Sequence, residues 1–187
     1  MSHREKYTPG RAAGAEVKQD GGQWTLVLVR ELRHPPAMVW QALTDPGQLS
    51  EWAPFDADRN LAAAGPVKLS TAGTPGLISE SIVKRAEAPR LLEYSWGGNE
   101  LRWELEPRGG GTRLKLWHNI DRNFISWGAA GWHVCFDVLE RFLAGEPMGR
   151  IVGPDAMRLG GWQRLTSEYA KQFGTGNPGG SPDPVKS

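Results

Sequence analysis

Between residues 58 and 118 short alternating segments are separated by turn signals at such regular intervals that few folds remain open to the chain. Asp58–Ala62 runs into Ala64-Gly65-Pro66, Val67–Thr71 into Gly73-Thr74-Pro75-Gly76, and Leu77–Arg85 into Ala88-Pro89. Arg90–Trp96 is followed by Gly97-Gly98-Asn99, Glu100–Glu106 by Gly109-Gly110-Gly111, and Thr112–His118 closes the series. Strands joined by turns this short form an antiparallel meander. The last two strands separate their faces cleanly. Leu101, Trp103 and Leu105 point one way and Arg102 and Glu104 the other; Leu114 and Leu116 point inward, and the period of two carries His118 with them.

A sheet with one apolar face needs a cover. From about Trp127 to Ala144 the period becomes helical. Gly131, Val134, Cys135, Val138 and Phe142 form one stripe, and Trp132, Phe136, Leu139 and Leu143 an adjoining one. His133, Asp137, Glu140 and Arg141 fall on the remaining face, where His133 and Asp137 are expected as a surface ion pair. Gly145 and Pro147 stop this helix. Residues 148–161 read mostly as loop, with Asp155 suited to cap a short helical turn, and Trp162, Leu165, Tyr169 and Phe173 mark a last helix. Ahead of the meander, Trp24–Leu32 reads as a strand. Pro35-Pro36 opens a helix, Asp45-Pro46 ends it, and a second short helix spans Gly47–Glu51. The expected fold class is α+β: a curved antiparallel sheet of about seven strands wrapped on a long C-terminal helix, with two short helices after the first strand and an extra helix at the end. Residues 1–22 are expected as a flexible arm, 23–173 as the domain, and 174–187, rich in Gly and Pro, as a disordered tail.

This arrangement resembles the START-like helix-grip superfamily, also called SRPBCC, which includes polyketide cyclases. More narrowly it is similar to the activator of ninety-kilodalton heat-shock protein ATPase homologue family. The residues carrying the resemblance are Trp40-x-x-Leu43-Thr44-Asp45-Pro46-x-x-Leu49-x-x-Trp52, then Thr112-Arg113-Leu114-x-Leu116, Gly131-Trp132, and Trp162-x-x-Leu165-x-x-x-Tyr169. It covers about residues 24–173. The resemblance implies a cavity between sheet and long helix, often holding an apolar or aromatic small molecule. The family name implies a co-chaperone, but its eukaryotic activators carry another large domain for which this chain is expected to have no room.

The chemistry is sparser than the architecture. With 22 basic and 21 acidic residues and a net charge of +1, the chain offers no basic excess to nucleic acid. No apolar run approaches the ~20 residues of a membrane span. One cysteine, Cys135, allows no internal disulfide, and a cytoplasmic location is expected. Neither a G-x-S-x-G elbow nor a phosphate-binding glycine loop occurs. His133 and Cys135, two apart on a helix, diverge, so no metal site and no cofactor are expected.

Nine tryptophans remain as the main signal. Trp fills cores or lines pockets. Trp96, Trp103, Trp127 and Trp132 come from elements expected around a cavity, and Trp52 and Phe55 from near its mouth; His118 is the inward polar residue. These seven are the candidate ligand-binding residues. With no catalytic constellation recognisable, binding of an apolar or aromatic small molecule is expected. A cyclase- or hydrolase-type enzyme using His118, with Asp121 as its near partner, is the second reading. A chaperone-associated interaction module, using 148–161 or the chain ends, is the third.

Overall fold

A computed structural model describes residues 2–177. Eight strands form one antiparallel sheet: β1 (Ala15–Asp20), β2 (Gln23–Leu32), β3 (Phe55–Ala57), β4 (Gly65–Thr71), β5 (Ile78–Glu87), β6 (Leu91–Trp96), β7 (Asn99–Arg108) and β8 (Gly111–Asn119). The helices are α1 (Pro36–Thr44), α2 (Pro46–Trp52), α3 (Ile125–Leu143), α4 (Pro154–Met157) and α5 (Trp162–Phe173). The strand order is β1-β2-β8-β7-β6-β5-β4-β3, so the meander from β3 to β8 is extended by the first hairpin docking on the last strand. The helix-grip α+β architecture is thus present, with α3 gripped by the sheet. Among the described residues no helix is long and apolar enough to cross a membrane.

The Trp40–Trp52 motif is legible as physics. Pro36 occupies the first position of α1, where its missing N–H leaves no partner unsatisfied. Asp45 ends α1 and begins α2: its side chain accepts from the Gln48 N–H at 3.0 Å, and Pro46 follows at the helix entrance. Both helices turn Val39, Trp40, Leu43, Leu49 and Trp52 inward. The Trp52 indole N–H donates to the Ala42 carbonyl at 2.9 Å, so a fully buried Trp leaves no polar atom unpaired.

Three elements differ from the sequence-based expectation. Residues 15–20, placed in a flexible arm, form the edge strand β1. Asp20 lies opposite Gln23, which makes Gly21-Gly22 a two-residue hairpin loop with φ of 54° and 85°, the positive values such a turn requires. The rest of the arm is fastened too. The Tyr7 hydroxyl donates to Asp137 at 2.6 Å, the Ala12 N–H to Glu168 at 2.8 Å, and Arg4 to Asp155 at 2.9 Å. The strand expected at Asp58–Ala62 is instead the shorter β3 at Phe55–Ala57, which pairs with β4, while Leu61 is buried outside the sheet with its N–H on the Thr44 carbonyl at 3.0 Å. The tail expected at 174–187 lies, from residue 178 on, outside the described residues.

The third difference is on α3. His133 is not on a surface face: it is 5% exposed, because α5 packs on α3 and Tyr169 and the N-terminal arm cover the polar face that carries His133 and Asp137. Its Nδ1 lies 2.7 Å from the Tyr169 hydroxyl and its Nε2 3.6 Å from Asp137. Asp137 also holds Arg30 at 2.8 Å. Arg30 shares the inward parity of Leu26, Leu28 and Leu32 on β2, so its charge is met under the helix rather than in solvent.

Candidate functional site

Along α3 the space under the helix is filled at one end and hollow at the other. At the filled end Trp52 and Trp103 meet edge to face with centroids 6.0 Å apart, and Trp103 packs on Trp132 at 5.4 Å and Phe136 at 6.0 Å. The Trp103 indole N–H donates to the Tyr94 hydroxyl at 3.0 Å. Trp52, Trp103 and Phe55 are wholly buried. These three of the seven candidate residues lie in the packed core; Phe55 stands behind Trp96, 5.0 Å between centroids.

At the hollow end a cavity of about 420 Å³ opens between the Trp96–Asn99 turn, the end of β8, the first half of α3, and the segment 151–157. Trp96, His118, Trp127 and Trp132, the other four candidates, line it. Pro54, Ile120, Phe124, Ile151, Val152, Met157 and Trp162 complete much of the wall, and Asn99 lies in the lining beside them. Trp127 meets Trp162 at 6.4 Å, and its N–H donates to the Asn177 side chain at 3.1 Å. Phe124 and Met157 are each at least half exposed, although large apolar side chains are ordinarily covered. Among the described residues no Asp, Glu, Lys or Arg lines the cavity. A larger hollow of about 600 Å³ lies over the other face of the sheet, but its lining is rich in charges that pair with each other, as Arg102 does with Glu104 at 2.8 Å.

Two glycines shape the helix side of the cavity in opposite ways, one by close approach and one by open space. Gly128 lets α3 approach the end of β8: a Cβ there would stand 2.4 Å from the Ile120 Cδ1. Gly131, one turn on, would meet nothing within 4 Å. A glycine inside a helix costs about 1 kcal/mol relative to alanine. Here it has no steric necessity, and both glycines, with Cys135, form the helix side of the cavity. The signal in the sequence was the three-residue spacing of glycines beside the bulky stripe of Trp132, Phe136, Leu139 and Leu143. Ile120, Phe124, Val152 and Met157, by contrast, carried no local signal, since loop geometry brings them in.

His118 sits opposite Leu26 on β2 and Leu101 on β7, so it is inward and flanked by apolar neighbours. The Trp132 indole N–H donates to its Nδ1 at 3.0 Å. Its Nε2 is buried without a partner among the described residues. Burial pushes the imidazole pKa down to about 3, so the ring is neutral at ordinary pH. Cys135 is a free, buried thiol that burial pushes up to about 12, which makes it inert. Asp121 is exposed and accepts from the Asn123 N–H at 2.8 Å, shaping its own turn rather than pairing with His118. Among the described residues no three His, Cys, Asp or Glu side chains gather as a metal site would need.

The comparisons with known proteins bear on the fold. A conserved protein of unknown function, EF2215 from Enterococcus faecalis, aligns with a TM-score of 0.66 at 15% identity, over 84% of this chain and 89% of its own. CalU16 from Micromonospora echinospora aligns with a TM-score of 0.59 at 21% identity, over 90% of this chain and 97% of its own. An AHSA1-like protein from Aeromonas hydrophila gives 0.54 at 20% identity, over 66% and 96%. At such identities the likeness is one of fold. No curated protein matches. The family model described as activator of Hsp90 ATPase homolog 1-like protein matches residues 33–144, which run from the entrance of α1 to the end of α3. The matched segment holds the double-capped Asp45, the meander and the gripping helix, and the chain belongs to the activator of Hsp90 ATPase homolog 1-like family.

Proposed function

We propose that the chain binds an apolar or aromatic small molecule in the cavity beneath the first half of α3. The observation that carries this reading is Gly131. A helix packed solidly over its second half keeps, in its first half, a glycine that weakens it without any steric need, and open space remains there beside Trp96, Trp127 and Trp132. A void of about 420 Å³ falls within the range of small-molecule sites, and its wall of indoles with few polar groups is what such sites use. The family membership and the shared fold support a ligand-binding role in general terms. Acid–base catalysis has less support, because His118 has no titratable partner at hand and its Nδ1 is already engaged.

The test is a thermal-shift and tryptophan-fluorescence titration with planar aromatics and lipids, on wild type and Gly131→Leu. A ligand present at 100 times its dissociation constant adds about 2.7 kcal/mol to stability. Saturable stabilisation of wild type, lost in Gly131→Leu while that variant stays folded, is the expected result. Equal shifts in both proteins would move binding elsewhere, and no shift with any compound would refute the reading.

A further inference from the structure

We propose that His118 selects the ligand by donating a hydrogen bond from Nε2 to an uncharged oxygen, so that the cavity takes planar aromatic molecules bearing a ketone or similar neutral acceptor in preference to hydrocarbons and carboxylates. This rests on the cavity reading and specifies its ligand.

The placement of the proton follows from the partner. The Trp132 indole has an N–H and no lone pair to offer, so it can only donate, and at 3.0 Å it fixes Nδ1 as the acceptor. The one proton of the neutral ring is therefore on Nε2. A second proton on Nδ1 would set two donors against each other across that same distance. Burial works in the same direction, pushing the imidazole pKa down to about 3. The ring thus offers one directed N–H and no positive charge.

That N–H is unanswered. Nε2 has no partner among the described residues, and the strand neighbours directly across are Leu26 and Leu101, both buried. Of the buried side-chain polar atoms left without a partner among the described residues, it alone belongs to a residue lining the cavity. A buried donor already stripped of water gains a full hydrogen bond when an acceptor arrives, without losing hydration in exchange. The Trp96 ring, 6.0 Å from the imidazole and tilted 32° to it, belongs to the same cavity wall and offers a flat face beside the ring that carries this N–H. A carboxylate would give up its own hydration to a lining that holds no cationic side chain among the described residues.

The experiment compares fluorenone, fluorene and fluorene-9-carboxylate, which share one fused-ring frame and differ in bearing a carbonyl, a methylene or an anion. Calorimetric titration of wild type is expected to rank the ketone about tenfold tighter than the hydrocarbon, with the carboxylate weakest. His118→Phe is expected to bring the ketone down to the hydrocarbon's affinity. In case that variant does not fold, nitrogen-detected NMR of wild-type imidazoles gives the same answer: the Nε2–H of His118 shifts with fluorenone and stays with fluorene. Equal binding of ketone and hydrocarbon, with an unmoved Nε2–H, would overturn the selection while leaving the cavity in place. A carboxylate that binds tightest would overturn the requirement for a neutral acceptor. Failure of all three to bind wild type would refute the cavity as well, and the inference with it.

Discussion

The two halves of α3 cover the same sheet with different outcomes. Around Phe136 and Leu139 the helix presses on Trp103, and Trp103 on Trp52, with the indole N–H of both Trp52 and Trp103 paired inside the core. Around Gly131 it stands beside a void, and a buried imidazole N–H in the wall has no partner among the described residues. Both ends are walled by tryptophan, so residue type does not separate core from cavity. What separates them is whether the helix supplies bulk opposite the rings, and whether the polar atoms beneath are paired.

Four substitutions test that contrast. The largest effect is expected from Trp103→Ala, which opens a hole in the filled half and is expected to destabilise by about 3–5 kcal/mol in a denaturant titration. Trp127→Ala, on the cavity wall, is expected to cost about 1 kcal/mol and to weaken ligand binding instead. Equal losses for the two would erase the distinction between core and wall.

Acid provides the second test. The His118 pKa is near 6.5 in an unfolded chain and about 3 in the fold. Between these values the unfolded state binds more protons, so stability is fully present above pH 6.5 and is lost as pH falls toward 3. The wild type is expected to lose about 1.4 kcal/mol more per pH unit in that window than His118→Phe. Parallel pH curves for the two proteins would show an imidazole that is hydrated, and a hollow end that is wet.

The smallest effect is the most pointed. Gly131→Ala is expected to stabilise by about 0.5–1 kcal/mol, read as a raised Tm, because a helix gains an alanine and nothing stands in the way of its Cβ. A neutral or destabilising result would mean that the space beside Gly131 is already occupied.

Much of the architecture was legible because its signals are local. The Trp40–Trp52 motif declares two short helices meeting at Asp45, the alternation through Leu101–Leu105 and Leu114–Leu116 declares strands, and the parity of β8 turns His118 inward. The Gly21-Gly22 hairpin was also local, but the apolar content of residues 15–20 is too low to announce a strand; β1 forms because β2 offers it an edge. His133 was misplaced for a different reason. Its helical face is polar, and only the long-range arrival of Tyr169 and the N-terminal arm buries it. The site was half legible: tryptophans at 52, 96, 103, 127 and 132 are alike in sequence, and the packing that puts 52 and 103 in the core and the others on the wall is set by partners far along the chain.

The fastening of the arm also sets an order of assembly as the chain leaves the ribosome. Tyr7 finds its partner 130 residues later, Arg4 151 later, and Ala12 156 later, while β2 must wait for β8. Residues 4–12 are therefore among the last to be secured. Their docking closes a loop nearly the length of the domain and must follow the emergence of α5.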